Sequence, residues 1–354
     1  MNINVQHSTD LYDYHLHKKL VAQHPLAERD ASRLMVLSRT TGKREHRSFS
    51  DIVRYFRKGD ALVLNDTRVI PARLIGSRVT GAVVKLLLVD NLGEGRWKVL
   101  LETRGRPSPG EEILFGGDYP AGTLLDRLSA REWVMGFGSE EAAWKIINTL
   151  GKPPLPPYIK RPARNDPFLT EDRERYQSVF ASASKPGSIA APTAGLHFTL
   201  PLLERIRQLG VEVVYITLHV GLGTFMPIKS SVITQHKMER EYYELDRVAA
   251  CKLNEVRNRG GRVIAVGSTC CRVLETLAQG NDVKASKGWT DLFIHPPYAF
   301  KMVDMLLTNF HLPRTTLLVL VATLAGREQI LDAYAEAQEN GYRFYSYGDA
   351  MLII

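Results

Sequence analysis

The chain has 354 residues, of which 44% are hydrophobic and 24% charged, and its formal net charge is +8. This length exceeds one typical core and suits two domains, and the composition is that of a globular protein. No apolar run approaches the roughly 20 residues that span a bilayer, while the basic excess favours a polyanionic partner such as a nucleic acid.

The amino-terminal residues and the cysteines indicate the cellular compartment. Residues 1–20 contain no apolar signal segment. Cys251, Cys270 and Cys271 lack the CxxC spacing of a structural zinc site, and three cysteines do not make a disulfide framework. We interpret the adjacent pair as packing residues and expect a cytoplasmic protein.

Residues 61–137 contain short alternating or apolar segments, beginning with ALVLNDT, that are separated by turn signals such as NLGEG and PSPG. This spacing predicts an all-β barrel or sandwich-like unit. A helix follows in SEEAAWKIINTLG, with Ser139 as its N-cap and Gly151 beyond its end. The proline-rich KPPLPPYIKRP then predicts a stiff connector that displays Tyr158 and Lys160.

From about residue 186 the chain alternates between strand and helix patterns. The apolar runs VEVVYITLHV, RVIAVGS and DMLLTNFHL predict buried strands. Residues 246–261 predict a helix capped by Asp246, and residues 269–280 predict a helix closed by Gly280. TTLLVLVATLAG predicts a buried helix, REQILDAYAEAQENG an amphipathic helix and YRFYSYGDAMLI a final strand. This alternation predicts an α/β fold with a mixed, largely parallel sheet and flanking helices.

Small and polar residues follow four of the predicted strands, one of which is GSIA at 187–190. Ligands of open α/β sheets bind at the carboxyl ends of strands, so these residues are candidates for a site. They are Thr193, Gly195 and His197; His219, Gly221, Gly223 and Thr224; Gly267, Thr269 and Arg272; and Asn309 and His311. Small residues beside hydroxyl, amide and imidazole groups allow a ligand to approach the backbone closely.

Other interpretations of these residues stay open at this point. A single buried histidine is more often a hydrogen-bonded core residue than a catalyst, and glycines after strands often serve turns. Three histidines could also bind a metal, although the HxxxH and HExxH spacings are absent. RVIAVGS is not a GxGxxG loop and no GxxxxGK[ST] motif occurs, which argues against a conventional dinucleotide site and a P-loop.

Seven motifs resemble, in order and spacing, the S-adenosylmethionine:tRNA ribosyltransferase-isomerase family of queuosine biosynthesis, from about Leu11 to the carboxyl terminus. They are LVLNDTRVIPARL, PLPPYIKRP, KPGSIAAPTAGLHF, TLHVGLGTF, RVIAVGST, LLTNFHLP and YRFYSYGDAM. The resemblance implies a β-barrel inserted into an α/β domain. Residues 1–68 and 153–354 would form the discontinuous α/β catalytic domain, and residues 69–152 the inserted all-β barrel.

The resemblance also implies a reaction. The family transfers the ribosyl part of S-adenosylmethionine to 7-aminomethyl-7-deazaguanine at the tRNA wobble position. The ribosyl unit is isomerised to give epoxyqueuosine, and adenine and methionine are released. S-Adenosylmethionine is then a co-substrate and no metal is expected. The implied partner is a tRNA with a G-U-N anticodon, and we expect a monomer without membrane association.

The implied chemistry assigns roles to the candidate residues. The sulfonium acidifies the ribose C5′ protons, so a base must remove one of them to form an ylide, and histidine suits this task near neutral pH. The catalytic set is His197 or His219 as the base, with His311 or Asn309 serving the departing adenine. The co-substrate would be held by Thr193, Gly195, Gly221, Gly223, Thr224, Gly267, Thr269 and Arg272, the last pairing with the methionine carboxylate.

Basic and aromatic residues outside this set are assigned to RNA contacts, because Arg and Lys contact phosphates and aromatic rings stack on bases. They are Arg68, Arg73, Arg104, Arg106, Tyr158, Lys160 and Arg161.

Four positions depart from the family pattern. Val84 stands where a glutamate is usual, Glu239 where a histidine is common, Cys270 where a serine is typical and Pro297 where a glycine is typical.

Two other functions are kept as alternatives. One is a metal-assisted hydrolase that uses His197, His219 and His311, and the other is a non-catalytic RNA-binding protein on the same scaffold.

Overall fold

The computed structural model describes residues 7–162 and 165–354, apart from the side chains of Thr224 and Phe225. The strands are β1 (Arg33–Leu37), β2 (Arg44–Ser48), β3 (Ala61–Asn65), β4 (Arg68–Val69), β5 (Arg73–Arg78), β6 (Val83–Gly93), β7 (Arg96–Thr103), β8 (Glu112–Leu114), β9 (Gly122–Arg127), β10 (Glu132–Gly136), β11 (Pro186–Ser188), β12 (Glu212–Leu218), β13 (Glu241–Leu245), β14 (Val263–Val266), β15 (Ala278–Gln279), β16 (Asp282–Val283), β17 (Ser286–Thr290), β18 (Met305–Asn309) and β19 (Ala350–Ile353). The α-helices are α1 (Glu140–Leu150), α2 (Leu169–Arg175), α3 (Leu200–Gln208), α4 (Arg247–Asn258), α5 (Gly267–Leu277), α6 (Thr316–Ala325) and α7 (Arg327–Glu339).

The larger sheet has nine strands in the order β17-β13-β12-β3-β14-β18-β19-β1-β2. Its centre is parallel: β12, β3, β14 and β18 run in one direction, while β13 and β19 lie antiparallel to their neighbours β12 and β18. The carboxyl ends of the four central strands therefore share one edge of the sheet. The predicted α/β fold with a mixed, largely parallel sheet and flanking helices is confirmed.

The side chains of β3 alternate between the two faces of the sheet, which explains why both faces are covered. Leu62 and Leu64 of β3 pack with α3 on one face, whereas Ala61 and Val63 pack with α4, α5 and α6 on the other. Successive strand side chains point to opposite faces, so a strand that is apolar throughout needs a layer on each side. Cys270 and Cys271 of α5 belong to the second layer, in the packing role predicted for them.

The second unit is a closed antiparallel barrel of six strands in the order β10-β7-β6-β5-β8-β9. Trp97 and Trp133 fill its interior, and Ile146 and Ile147 of α1 pack against the same cluster. The predicted helix boundary is confirmed, because the Ser139 hydroxyl accepts from the Ala142 N–H at 3.1 Å. The predicted all-β barrel is therefore confirmed as a second structural unit beside the larger sheet.

Three sequence predictions of element limits were wrong. The first segment assigned to the barrel pattern, Ala61–Asn65, is one of the four parallel strands at the centre of the larger sheet, because a short apolar run fits either setting. Helix α5 ends at Leu277 rather than at Gly280, which instead turns the β15–β16 hairpin with φ +65°. A glycine with positive φ serves a helix end and a hairpin equally well. The final strand contains only Ala350–Ile353 of the predicted segment.

Within the described residues no helix is long and apolar enough to cross a membrane.

Glu275 on α5 anchors the loop that precedes β18. Its buried carboxylate accepts from the main-chain N–H groups of Lys301, Met302 and Val303 at 2.9–3.2 Å and from the Tyr298 hydroxyl at 3.1 Å. These N–H groups have no strand partner, so one side chain satisfies donors that would otherwise be buried unpaired. The loop is thereby fixed before the chain enters the sheet.

We expect Glu275→Ala to lower the free energy of unfolding by about 3 kcal/mol, because each buried donor left unpaired costs roughly 1–3 kcal/mol. Urea unfolding measures the change. Glu255→Ala is the matched control: it lies exposed on α4, and its pair with Arg259 is worth about 0.3–0.5 kcal/mol. Equal losses in the two variants would show that Glu275 does not hold the loop.

Candidate active site

The shared edge of the four parallel strands is also where most of the predicted site residues lie. His219 follows β12, Gly267 follows β14 and Asn309 ends β18. The fourth predicted strand end was wrong: β11, in the GSIA segment, pairs with β4 outside the larger sheet. The chain continues from β11 into the 3-10 helix Thr193–His197, which nevertheless packs at this edge. A Cβ added to Gly267 would lie 3.7 Å from the Cβ of Ala194.

The end of β3 supplies residues that the sequence analysis missed. The Asn65 side chain, 2% exposed, donates to the Leu218 carbonyl at 2.9 Å and accepts from the N–H groups of Leu218 and Thr67 at 3.1 Å. Thr217 donates from its hydroxyl to Asp66 at 2.7 Å. These contacts tie β3 to β12 beyond their last backbone pair. The polar run NDT directly after a buried strand was the available signal.

His219 is held on three sides. Its Nδ1 lies 2.8 Å from the Thr67 hydroxyl, and its ring stacks on Tyr242 with centroids 5.6 Å apart. A Cβ on Gly187 would lie 2.9 Å from the ring, so only glycine allows this approach. Burial, with a smaller contribution from Lys185, lowers the pKa of His219 to about 4. Its Nε2 forms no hydrogen bond within the described residues and can therefore accept a proton from a ligand.

His197 is instead satisfied by the protein at both ring nitrogens. Its Nδ1 lies 2.7 Å from the Ser32 hydroxyl, and its Nε2 accepts from the Asn309 side-chain amide at 3.2 Å. The ring is 4% exposed and stacks on Phe49, and burial lowers its pKa to about 4. The Asn309 amide oxygen is buried without a hydrogen-bond partner among the described residues. His197 therefore orients Asn309, whose oxygen stays available.

His311 lies on the opposite face of the sheet from this pair. Its Nε2 is 2.8 Å from the hydroxyl of Thr308, which precedes Asn309 in β18 and so points the other way. Its main chain is held by Tyr334 and Tyr14, and burial lowers its pKa to about 3. The structure thus brings Asn309 and His197 together but does not bring His311 to them.

The three histidines are also spread along the edge. The strand order places β12, which precedes His219, three positions from β18, whose end contacts His197. Three interstrand spacings amount to about 14 Å. No group of three or more His, Cys, Asp or Glu residues in the described part of the chain is arranged to hold a metal ion. The histidines of the hydrolase alternative therefore do not converge on one point.

Several of the predicted co-substrate residues meet around a buried ion pair. Arg272 and Glu241, 4% and 3% exposed, are bonded through one guanidinium nitrogen and one carboxylate oxygen. The other Glu241 oxygen accepts from the Gly221 N–H at 2.8 Å. Arg272 also donates to the carbonyls of Leu292 and Thr290 at 3.0 and 3.3 Å. The pair thereby fixes the turn after β12 against α5.

A cleft of about 250 Å³ opens beside this pair. Its lining consists of Gly223, Met226, Pro227, Lys229, His236, Lys237, Met238, Glu239 and Glu241. Met238 also lines a smaller adjoining cavity, which contains Thr269, Arg272 and Thr316. The Thr316 hydroxyl is buried and has no hydrogen-bond partner within the described residues. The cleft thus joins apolar walls to carboxylates and hydroxyls, the composition expected of a small-molecule site.

The other predicted co-substrate residues do not line the cleft, apart from Thr224, whose side chain is outside the described residues. Gly267, with φ +86°, begins α5, and Thr193 begins the 3-10 helix that packs on it. Gly195 packs against Phe180, where a Cβ would meet the ring at 2.9 Å.

Some of the predicted RNA-binding side chains are exposed, and others are hydrogen-bonded to the rest of the protein. Arg68, Arg104, Arg106 and Lys160 are exposed. Arg73 is exposed as well, although it donates to the Leu155 carbonyl at 2.6 Å. The loop that carries Arg104 and Arg106 is held through its carbonyls by Arg78.

Arg161 and Tyr158 are instead tied to the protein. Arg161 forms a two-pronged pair with the buried Asp172, at 2.6 and 2.9 Å, and also donates to the carbonyls of Gln23 and Lys160. These contacts leave its guanidinium little capacity for a phosphate. The Tyr158 hydroxyl lies 2.7 Å from the Ser346 hydroxyl.

The four departures from the family pattern occupy different surroundings. Val84 is fully buried in the barrel, and Cys270 is fully buried in the larger core, where burial raises the pKa of its thiol. Pro297 is exposed in the loop that Glu275 anchors. Only Glu239 lines the cleft, so it is the departure that can affect a ligand there.

The chain is similar to known proteins over nearly its whole length. A family model described as a queuosine biosynthesis protein matches residues 9–353. The S-adenosylmethionine:tRNA ribosyltransferase-isomerase of Symbiobacterium thermophilum is 49% identical over 345 residues, covering 97% of this chain and 98% of the relative. That of Thermoanaerobacter sp. is 46% identical over 343 residues, covering 96% and 98%. A crystal structure of S-adenosylmethionine tRNA ribosyltransferase from Thermotoga maritima is 36% identical, with a TM-score of 0.55, and covers 97% of this chain and 100% of that one.

The buried histidines predict how stability depends on pH. His197 and His311 have folded-state pKa values of about 4 and about 3, against about 6.5 in an unfolded chain. Below pH 6.5 the unfolded state therefore binds more protons, so stability falls as the pH falls towards 4 and is independent of these groups above pH 7. We expect a loss of about 2 kcal/mol per histidine between pH 7 and pH 5.

Urea unfolding at pH 7 and pH 5 measures this loss. His311→Asn, although less stable overall, should lose less between the two pH values than the unsubstituted protein, and His197→Asn should behave in the same way. His46→Asn, at an exposed position, is the matched control for removal of a histidine. An unchanged pH difference in both buried variants would contradict the neutral, buried state of these rings.

Proposed function

The chain belongs to the queuosine biosynthesis family whose relatives are named S-adenosylmethionine:tRNA ribosyltransferase-isomerase, and we propose on this premise how its residues perform that reaction. The enzyme moves the ribosyl part of S-adenosylmethionine to 7-aminomethyl-7-deazaguanine at the tRNA wobble position. It releases adenine and methionine and forms epoxyqueuosine. The tRNA carries a G-U-N anticodon, and the enzyme acts as a cytoplasmic monomer. This function replaces the hydrolase and the non-catalytic alternatives.

The cleft beside the Glu241–Arg272 pair is the proposed site for S-adenosylmethionine. The co-substrate carries a sulfonium, an ammonium and a carboxylate, and the cleft lining offers both signs of charge, with Glu239 exposed beside Lys229 and Lys237. Met226 and Met238 supply apolar contact, while Gly223 leaves the backbone accessible. Arg272 borders the adjoining cavity with Thr269, but all three of its guanidinium nitrogens are bonded to Glu241, Leu292 and Thr290. Its proposed role is therefore to position Glu241 at the cleft rather than to bind the methionine carboxylate.

His219 is the proposed base that removes a C5′ proton. This choice rests on the Nε2 of His219, which has no hydrogen-bond partner among the described residues, whereas both ring nitrogens of His197 are bonded within the protein. Its pKa of about 4 keeps the ring neutral, and so able to accept a proton, throughout the physiological range. The Thr67 hydroxyl at Nδ1 holds the ring in one orientation, as a hydrogen-bonded second nitrogen does in other histidine bases.

Asn309 is the proposed contact for the departing adenine. Its amide oxygen is buried and unpaired among the described residues, and the neighbouring amide nitrogen is fixed by His197 and by the Tyr345 carbonyl. An acceptor placed in this way can bind the exocyclic amine of the base. His197 then acts as a positioning residue, and His311 supports β18 from the other face.

The decisive assay combines S-adenosylmethionine with tRNA that carries the aminomethyl-deazaguanine base and detects released adenine. Formation of epoxyqueuosine in the tRNA is the second readout. Absence of adenine with competent tRNA and folded protein would overturn the proposed reaction.

We expect His219→Asn to lower kcat for adenine release at least 100-fold, because a positioned base contributes roughly 10²–10⁴ in rate. Asparagine retains a partner for Thr67, so the thermal midpoint and the affinity for tRNA should stay close to those of the unsubstituted enzyme. His46→Asn is again the matched control and should keep full activity. A His219→Asn enzyme with an unchanged rate would remove His219 from the role of base.

A further inference from the structure

A second cavity, separate from the cleft proposed for the co-substrate, lies at the other end of the same sheet edge. It measures about 30 Å³, and its lining includes the arginines Arg29, Arg175 and Arg343 and the hydroxyls of Ser32 and Ser346. A cavity of this size holds one small polar group rather than a nucleoside, since a single water needs about 10–15 Å³. Its lining contains no carboxylate.

We call this cavity the arginine pocket. Main-chain oxygens hold Arg29 and Arg175 in place, and Arg343 has both a main-chain oxygen and the carboxylate of Asp349 as partners. The carbonyls that accept from them belong to Leu196 for Arg29 at 3.2 Å, to Leu26 for Arg175 at 2.7 Å and to His24 for Arg343 at 3.3 Å. Carbonyl contacts orient a guanidinium but do not neutralise its charge. The pocket is therefore preorganised and positively charged.

Countercharge near the pocket is scarce. The buried carboxylate of Asp349 lies 3.7 Å from Arg343, and it also pairs with Arg33 at 3.2 Å. Among the described residues neither Arg29 nor Arg175 forms a salt bridge, and the buried Nε of Arg175 has no hydrogen-bond partner. Burial, followed by the neighbouring Arg175, lowers the pKa of Arg29, and the nearby carboxylate of Glu174 offsets part of this shift. Half-buried like charges without an anion are costly, which indicates a missing negative group.

We propose that the arginine pocket binds a backbone phosphate of the RNA substrate, an inference that rests on the proposed function. Guanidinium groups present paired N–H donors that match phosphate oxygens. The methionine carboxylate fits this pocket less well, because it is joined to an ammonium group and the lining offers no carboxylate to receive it. The cleft with Glu239 and Glu241 offers one, at the opposite end of the edge.

The surroundings of the pocket favour RNA over a free inorganic anion. Ser346 lines the pocket and bonds to Tyr158 on the proline-rich connector, whose next exposed basic residue is Lys160. The pocket therefore continues a surface already assigned to RNA. Ser32 lines it as well and bonds to His197, so a bound phosphate is linked through Ser32 and His197 to Asn309.

The experiment measures binding of an unmodified anticodon stem–loop RNA with a G-U-N anticodon at several KCl concentrations. For Arg29→Gln and Arg175→Gln we expect about tenfold weaker binding and a slope of log K against log salt smaller by about 1 each, the effect of losing one phosphate contact. The KM for S-adenosylmethionine should change less than twofold. Arg259→Gln, exposed beyond the end of α4 at the opposite edge, is the matched control and should leave the slope unchanged.

Other outcomes overturn the proposal in distinguishable ways. A raised KM for S-adenosylmethionine with an unchanged salt slope would assign the pocket to the methionine carboxylate. No change in either quantity would mean that the pocket holds no substrate anion. Arg175→Lys, which keeps the charge but loses the paired donors, should retain the slope and lose part of the affinity, and this separates charge loss from misfolding. The binding measurement uses RNA without the modified base and does not depend on catalysis. Failure of adenine release would therefore overturn the proposed function, while the salt slopes would still test whether the arginine pocket binds a phosphate.

Discussion

The amide of Asn65 is the contact on which the candidate active site depends. It bonds to both main-chain groups of Leu218 and to the N–H of Thr67, so the carboxyl ends of β3 and β12 stay together where backbone pairing stops. Thr67 is thereby placed against His219, and the chain can leave the sheet without exposing unpaired groups. An aliphatic residue at position 65 would leave buried donors and an acceptor unsatisfied and would free the ring that we assign as the base.

Charge differs between the two ends of the edge that these strands form. At the β12–β13 end, the cleft lining contains both signs of charge, Glu239 and Glu241 beside Lys229 and Lys237, and Glu241 is paired with Arg272. At the β18–β1 end, three arginines surround a pocket whose lining has no carboxylate. The arginine pocket therefore favours an anion, whereas the cleft proposed for the co-substrate offers partners for both charges of an amino acid and lies at the other end. The reacting groups would meet between them, at the ends of β3 and β14.

The two neutral histidines illustrate how burial assigns different roles to similar residues. His197 and His219 both have pKa values lowered by burial. They differ in what surrounds the second ring nitrogen. Asn309 bonds to that nitrogen in His197, whereas the Nε2 of His219 has no hydrogen-bond partner among the described residues and Gly187 approaches that side of the ring closely. One ring is suited to positioning and the other to proton transfer.

The sequence by itself determined the element types, because hydrophobic period and capping chemistry are local. The caps at Ser139 and Asp246, the buried strands β12, β14 and β18 and the apolar helix α6 were all predicted, and motif resemblance identified the family. Only the tertiary structure decided that Ala61–Asn65 lies between β12 and β14 in the larger sheet, and that His311 lies on the opposite face of the sheet from Asn309. It alone also brought Arg29, Arg175 and Arg343 together. Strand order, the face on which a side chain lies and contacts across more than a hundred residues are set by packing between layers, which no local pattern encodes.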